Sequence, residues 1–130
     1  MRLIVFILSL SCLILAAGPA LASAGGIPLA EQKKIEALIV KVEGMTEAVF
    51  IRNGRNYSAA LAAEFLRRKW RTYESDIRSA MDFIEKVASF SSRSGKPYCI
   101  RWPDGRERLC GEFLRNQLSL LEGPNGKRPG

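Results

Sequence analysis

The segment richest in polar and charged side chains that could carry chemistry runs from Ser91 to Lys96 and reads Ser-Ser-Arg-Ser-Gly-Lys. Hydroxyl groups, cationic side chains and the amides of a glycine turn can surround an anion, since successive N–H groups in a turn form an anion-binding concavity. The alternative without a ligand is a connector that satisfies the last carbonyls of the preceding helix. The residues that we assign to a candidate anion site are Arg52, Ser91, Ser92, Ser94, Gly95 and Lys96.

The same segment offers a second chemistry, in which a lysine amine serves as base for a serine nucleophile. A desolvated lysine can take this role, so Ser92 or Ser94 with Lys96 defines the alternative of a small hydrolase or transferase.

Two known motifs do not fit the sequence of this segment. A P-loop is excluded because Pro97 stands where it needs serine or threonine. A β-lactamase-type Ser-x-x-Lys is excluded because Arg93 stands three residues before the lysine.

Composition excludes other kinds of site. The chain has 0 His, which rules out a Ser-His-Asp triad, a Cys-His dyad and a histidine-ligated metal within it. We therefore assign no catalytic residue, no metal and no cofactor, and favour a non-enzymatic role. The 20 Lys+Arg against 13 Asp+Glu give a formal net charge of +7, which suits an anionic partner.

A second basic cluster contains Arg67, Arg68, Lys69 and Arg71, with Trp70 and Tyr73 beside it. Basic residues among aromatic ones can bind nucleic acid. Export of the protein, argued next, makes nucleic acid an unsuitable partner and favours anionic lipid headgroups or cell-wall carboxylates. The simplest interpretation is a helix face that points to solvent.

Residues 1–24 have the pattern of a secretory signal peptide. Arg2 supplies a positive charge, an uncharged apolar run covers residues 3–17, and the small residues at 20, 22 and 24 suit signal peptidase. The run is shorter than the ~20 residues that a membrane-spanning helix needs. We expect an exported protein with no stable membrane span in its mature form; the alternative is an uncleaved N-terminal anchor.

Export leaves two cysteines in the mature chain, Cys99 and Cys110, and an even number in a small exported domain suggests a disulfide. The turn signal Pro103-Asp104-Gly105 lies between them. A four-residue loop would place the cysteines opposite each other, so we predict a β-hairpin closed by this disulfide. A three-residue loop would shift the register by one and separate the cysteines onto opposite faces. The alternative is a pair of free thiols.

The remaining patterns predict an α+β fold, in which a single helix-dominated domain over residues 25–122 precedes a flexible tail over 123–130. Four helices and a small antiparallel sheet, which includes the C-terminal hairpin, are expected in the order α-β-α-α-β-β-α. The helices are expected at about 28–44, 58–74, 79–89 and 113–121, and the first strand at 48–52, before the Asn53-Gly54 turn. The apolar residues Ile35, Leu38, Ile39 and Val42 predict one buried face of the first helix. Ser58 and Ser79 are predicted to cap the second and third helices.

Several stretches resemble a family of small exported bacterial proteins called domain of unknown function 5329. They are residues 50–54, 62–70, 82–85 and 88–98, and the most specific are Phe-Ile-Arg-Asn-Gly and Ser-Ser-Arg-Ser-Gly-Lys-Pro-Tyr. The resemblance covers roughly residues 31–121. Members of that family often have histidine where this chain has Phe65, so a histidine-dependent site is not implied. The resemblance implies a periplasmic location in a Gram-negative bacterium and no established activity.

The leading hypothesis is therefore a non-enzymatic periplasmic binding or interaction module. Its partner would be an anionic small molecule, or a component of the cell wall or envelope, held by Arg52 and the 91–96 loop. The alternatives are the Ser/Lys hydrolase or transferase, and a periplasmic inhibitor or immunity protein whose partner is another protein.

We expect the exported protein to begin at Ser23 or Gly25, because small residues occupy the positions that signal peptidase reads before each of these sites. Intact-mass measurement of protein from the periplasmic fraction tests this. A full-length species retained in the membrane would contradict it.

Overall fold

The computed structural model describes residues 26–124, so the predicted signal peptide and the tail beyond residue 124 lie outside the described residues. The α+β class with four helices is confirmed. Among the described residues, no helix is long and apolar enough to cross a membrane. The elements are α1 (Leu29–Glu43), β1 (Val49–Arg52), β2 (Arg55–Tyr57), α2 (Ala59–Thr72), a 3-10 turn (Glu74–Asp76), α3 (Ala80–Phe83) with its π-helical continuation (Ile84–Ala88), β3 (Cys99–Arg101), β4 (Glu107–Leu109) and α4 (Cys110–Glu122).

The strands form one antiparallel sheet in the order β2-β1-β3-β4. Asn53 and Gly54 join β1 to β2 with φ angles of 51° and 77°, the two positive values of a type I′ hairpin turn. In the pairing of β1 with β3, Ile51 lies opposite Cys99. The next position along β1 is Arg52, which this register brings beside Tyr98.

The core is built from one face of each helix. In α1 the buried residues follow the i, i+3, i+4, i+7 spacing of an amphipathic helix, which confirms the predicted face. The side chains of Ser58 and Ser79 cap the next two helices by accepting bonds from the amides of Leu61 and Asp82. The largest fully buried side chains are Phe83, Ile35, Leu38, Ile39, Ile84, Ile100, Leu114, Val42 and Val87.

The C-terminal hairpin forms, but the predicted register is wrong. The amide of Gly105 donates to the carbonyl of Trp102 at 2.8 Å, and Gly105 has a φ of 91°. The amide of Trp102 in turn donates to the carbonyl of Arg106 at 2.9 Å. This is the three-residue loop, a type I turn followed by a left-handed glycine, rather than the four-residue loop that we expected.

The shifted register separates the two cysteines. Cys99 pairs with Leu109 across the hairpin, so strand alternation places Cys110 on the other face. Both cysteines are free thiols, and the predicted Cys99–Cys110 disulfide is therefore absent. Burial raises the pKa of Cys110 to about 12 and also raises the pKa of Cys99, so both thiols are poor nucleophiles.

A close contact between α4 and the end of the π-helical segment fixes the entry to β3. The hydroxyl of Ser89 donates to the carbonyl of Ile84 at 2.6 Å, while the Ser89 carbonyl accepts from the amide of Tyr98 at 2.9 Å. Gly111 of α4 lies directly against this serine. A Cβ added to Gly111 would approach the Ser89 hydroxyl oxygen to 2.5 Å.

Replacing Gly111 with alanine should therefore lower the free energy of unfolding by about 1–3 kcal/mol, because overpacking forces a well-packed contact to move. Urea denaturation measures the change. Gly44→Ala is the matched control, since a Cβ there would meet nothing closer than the Val40 carbonyl at 3.5 Å. Equal destabilisation by both substitutions would contradict the specific contact with Ser89.

Candidate anion-binding site

Two cationic side chains converge between the sheet and α2. Arg52 ends β1, Lys69 lies in the last turns of α2, and both line a cavity of about 430 Å³, called the basic cavity below. None of its lining residues, all within the described part of the chain, is aspartate or glutamate. The full lining is Arg52, Phe65, Arg68, Lys69, Thr72, Tyr73, Ser91, Ser92, Arg93 and Tyr98.

Lys69 is a buried cation, with 7% of its surface exposed. Its Nζ donates to the Phe90 carbonyl at 2.7 Å and to the Tyr98 hydroxyl at 3.0 Å. No carboxylate of residues 26–124 lies within salt-bridge distance of it. Burial, with a smaller contribution from the charge of Arg52, lowers the pKa of the amine from its ordinary 10.5 to about 8. The amine therefore has hydrogen bonds but no counter-ion.

Arg52 is held by aromatic rings rather than by an acid. Its guanidinium carbon lies 4.3 Å from the centre of the Phe65 ring and 6.0 Å from that of Tyr57, within cation–π range. The Nε atom is buried and lacks a hydrogen-bond partner. A buried donor left unsatisfied costs roughly 1–3 kcal/mol. An anion in the basic cavity would instead meet the terminal N–H groups of the guanidinium, since Arg52 lines the cavity while its Nε is buried.

Lys69 was not among the residues that we assigned to the site, because the basic run at 67–71 suggested a solvent-facing helix side. That interpretation fits Arg68, which pairs with Glu64 at 3.7 Å, and is wrong for Lys69. The periodicity of buried residues along α2 does indicate that Lys69 points inward. Ala63 and Leu66 are buried in α2, and a residue three positions further along lies on the same inward face.

The loop at residues 91–96, called the serine loop below, is closed mainly by its own hydrogen bonds. The buried hydroxyl of Ser91 accepts from the amides of Arg93 and Ser94 at 3.2 and 3.3 Å, and from the side-chain amide of Asn53 at 3.1 Å. The amide of Gly95, which has a φ of 75°, donates to the Ser91 carbonyl at 2.9 Å. These groups form the turn and are already bonded within it.

The residues assigned from sequence therefore divide into two groups. Arg52, Ser91 and Ser92 line the basic cavity, whereas Ser94, Gly95 and Lys96 do not. The Ser94 hydroxyl bonds to Asn53 and accepts from the amide of Lys96, whose side chain is exposed.

The alternative Ser/Lys pair is not assembled. The hydroxyl of Ser92 accepts from the Tyr73 hydroxyl at 3.1 Å, and among the described residues no serine hydroxyl bonds to a lysine amine. A general base must lie within about 2.6–3.2 Å of the proton that it removes. Within residues 26–124 there is also no group of three or more Cys, Asp or Glu side chains that would hold a metal ion.

Comparison with known proteins gives a family without an assigned activity. The model of the family of unknown function DUF5329 matches residues 29–122. Over 68 residues the chain is 37% identical to the uncharacterized protein YfeK of Salmonella typhimurium, a match that covers 52% of this chain and 57% of that protein. No solved structure matches the chain significantly.

The lowered pKa of Lys69 should make stability depend on pH. Between about pH 8 and 10.5 the unfolded chain holds a proton on this amine that the folded protein has released. Raising the pH through that window should therefore increase the free energy of unfolding, by up to about 3 kcal/mol. Below about pH 8 the Lys69 amine is protonated in both the folded and the unfolded protein, so this increase in the free energy of unfolding is absent. Urea denaturation at a series of pH values measures it.

Lys69→Met is the control, because it removes this amine and leaves the rest of the chain unchanged. The charged and titratable groups around the amine are Arg52, Arg68, Arg93, Tyr73 and Tyr98. Guanidinium groups keep their charge across this window, and burial raises the pKa of Tyr98 to about 12, above it. A difference between the two proteins that stays constant from pH 8 to 10.5 would contradict the prediction.

Proposed function

The chain belongs to the family of unknown function DUF5329, and we propose that this protein is an exported, periplasmic module that binds a small anion in its basic cavity. One observation carries the proposal: the buried amine of Lys69 and the half-buried guanidinium group of Arg52 line the same cavity, which has no carboxylate among its lining residues. The signal-peptide pattern of residues 1–24 supports the periplasmic location.

The electrostatics of the cavity favour an external anion. Cations that are removed from water are normally paired, because their desolvation is unfavourable. Lys69 and Arg52 repel each other, which contributes to the lowered pKa of the lysine. An anion between them would offset both charges and accept a charge-assisted hydrogen bond from the Arg52 guanidinium group.

The walls of the cavity suit this role as well. The hydroxyl of Ser92 lines it, accepts from Tyr73, and keeps its own proton to donate to a further oxygen atom of a phosphate, sulfate or carboxylate. Arg68 and Arg93 add positive charge to the same lining, which raises the local concentration of anions. The arrangement supports binding better than catalysis, since no lining group forms a nucleophile–base pair.

Inorganic phosphate and sulfate should therefore raise the melting temperature of the purified protein at constant ionic strength. The free-energy gain should follow ligand occupancy and reach about 2.7 kcal/mol at a concentration of 100 Kd. Arg52→Gln and Lys69→Met should each weaken binding about 10- to 100-fold, as expected for a lost charged hydrogen bond. Calorimetric titration at pH 7 measures the affinities.

Lys96→Ala is the discriminating control, because its side chain lies outside the cavity lining. It should leave anion affinity unchanged. Loss of the response in Lys96→Ala but not in Arg52→Gln would move the site to the serine loop. Absence of any response to phosphate, sulfate or acetate in a folded protein would overturn the proposal.

A further inference from the structure

An apolar cavity adjoins the basic one. It has a volume of about 130 Å³, and its lining includes Leu61, Ala62 and Leu66 of α2 and Phe50 and Tyr57 of the two N-terminal strands. The two cavities share four lining residues: Arg52, Phe65, Arg68 and Tyr98. A molecule that occupies one cavity is therefore in contact with the wall of the other.

The apolar cavity is open to water, as the exposure of its rim shows. Leu61 is 53% exposed although it lies on α2 immediately beside the buried residues that support the cavity. Covering such apolar surface with another apolar group is favourable, because it removes that surface from water. A bare phosphate or sulfate would leave it in water.

Arg52 lies at the boundary between the two environments. Its guanidinium group stacks on Phe65, whose ring belongs to both linings, while the Nε remains without an acceptor. A charged head bound at the guanidinium group would place any attached apolar group next to Leu61 and Phe65. The basic cavity is thus complementary to an anionic head, and the apolar cavity is complementary to an apolar group on the same molecule.

From this juxtaposition we infer that the protein binds an amphiphilic anion, with a phosphate or carboxylate head at Arg52 and Lys69 and a short apolar group in the adjoining cavity. The inference rests on the proposed function and narrows its ligand class. A cavity of about 150 Å³ accommodates benzene. The apolar cavity is slightly smaller at about 130 Å³, which fits an alkyl or aryl group of about six carbons.

Calorimetry with inorganic phosphate and with butyl, hexyl and octyl phosphate tests the inference, at pH 7 and below micelle-forming concentrations. Each methylene that enters the cavity should tighten binding about two- to fourfold. Hexyl phosphate should therefore bind at least tenfold tighter than inorganic phosphate, and octyl phosphate should add little more. Hexyl glucoside, which has the same chain and a neutral head, should bind at least tenfold more weakly than hexyl phosphate.

Variants separate the apolar cavity from the basic one. Leu61→Ser and Ala62→Leu, which remove and fill apolar space respectively, should reduce the advantage of hexyl phosphate over inorganic phosphate to less than threefold. Their affinity for inorganic phosphate should be unchanged. Leu120→Ser is the matched control, since Leu120 is 75% exposed on α4 and lines neither cavity.

The outcomes distinguish this inference from the proposed function. Equal affinities for inorganic and alkyl phosphates would overturn the inference and leave the anion site standing. No binding of any phosphate would overturn both. Binding of hexyl glucoside as tightly as hexyl phosphate would overturn the requirement for a charged head. Equal losses in Leu61→Ser and Leu120→Ser would identify the alkyl effect as nonspecific and also overturn the inference.

Discussion

The amine of Lys69 connects the parts of this fold that form the site. Its bonds to the Phe90 carbonyl and the Tyr98 hydroxyl join α2 to the end of the π-helical segment and to the entry of β3. Burial raises the pKa of Tyr98, which keeps this hydroxyl neutral and able to accept from the amine. The same tyrosine lies beside Arg52 in the sheet register, so the position of the buried Lys69 helps to determine that of Arg52.

The helices and turns whose formation depends on neighbouring residues were predicted correctly from the sequence. The spacing of apolar residues located α1, Asn53 and Gly54 located the first turn, and serine caps located two helix starts. The edge strand β2 has no counterpart in the prediction, because its polar Arg-Asn-Tyr sequence lacks alternation and forms through pairing with β1. The hairpin register also escaped prediction, since Pro-Asp-Gly is compatible with more than one loop length.

The site was predictable at Arg52 and not at Lys69. Arg52 ends an interior strand before a tight turn, which fixes its place at the end of that strand. The helical phase of α2 gives the inward direction of Lys69, but the groups that receive its amine lie 21 and 29 residues further along the chain. A run of four cationic residues in five positions also hides one buried member, because composition alone assigns the whole run to solvent.

The serine loop holds the site in place through its hydrogen bonds rather than by offering them to a ligand. Asn53, in the β1–β2 turn, donates to Ser91 and bonds to Ser94, which ties the loop to the strand that carries Arg52. This attachment keeps Ser92 and Arg93 in the lining of the basic cavity. A buried cation without an acidic partner, such as Lys69, lowers stability, and such departures from favourable packing are most common at functional sites. The most distinctive polar sequence of the chain thus supports the position of the cavity, while the two cations of the proposed site come from a strand end and a helix face.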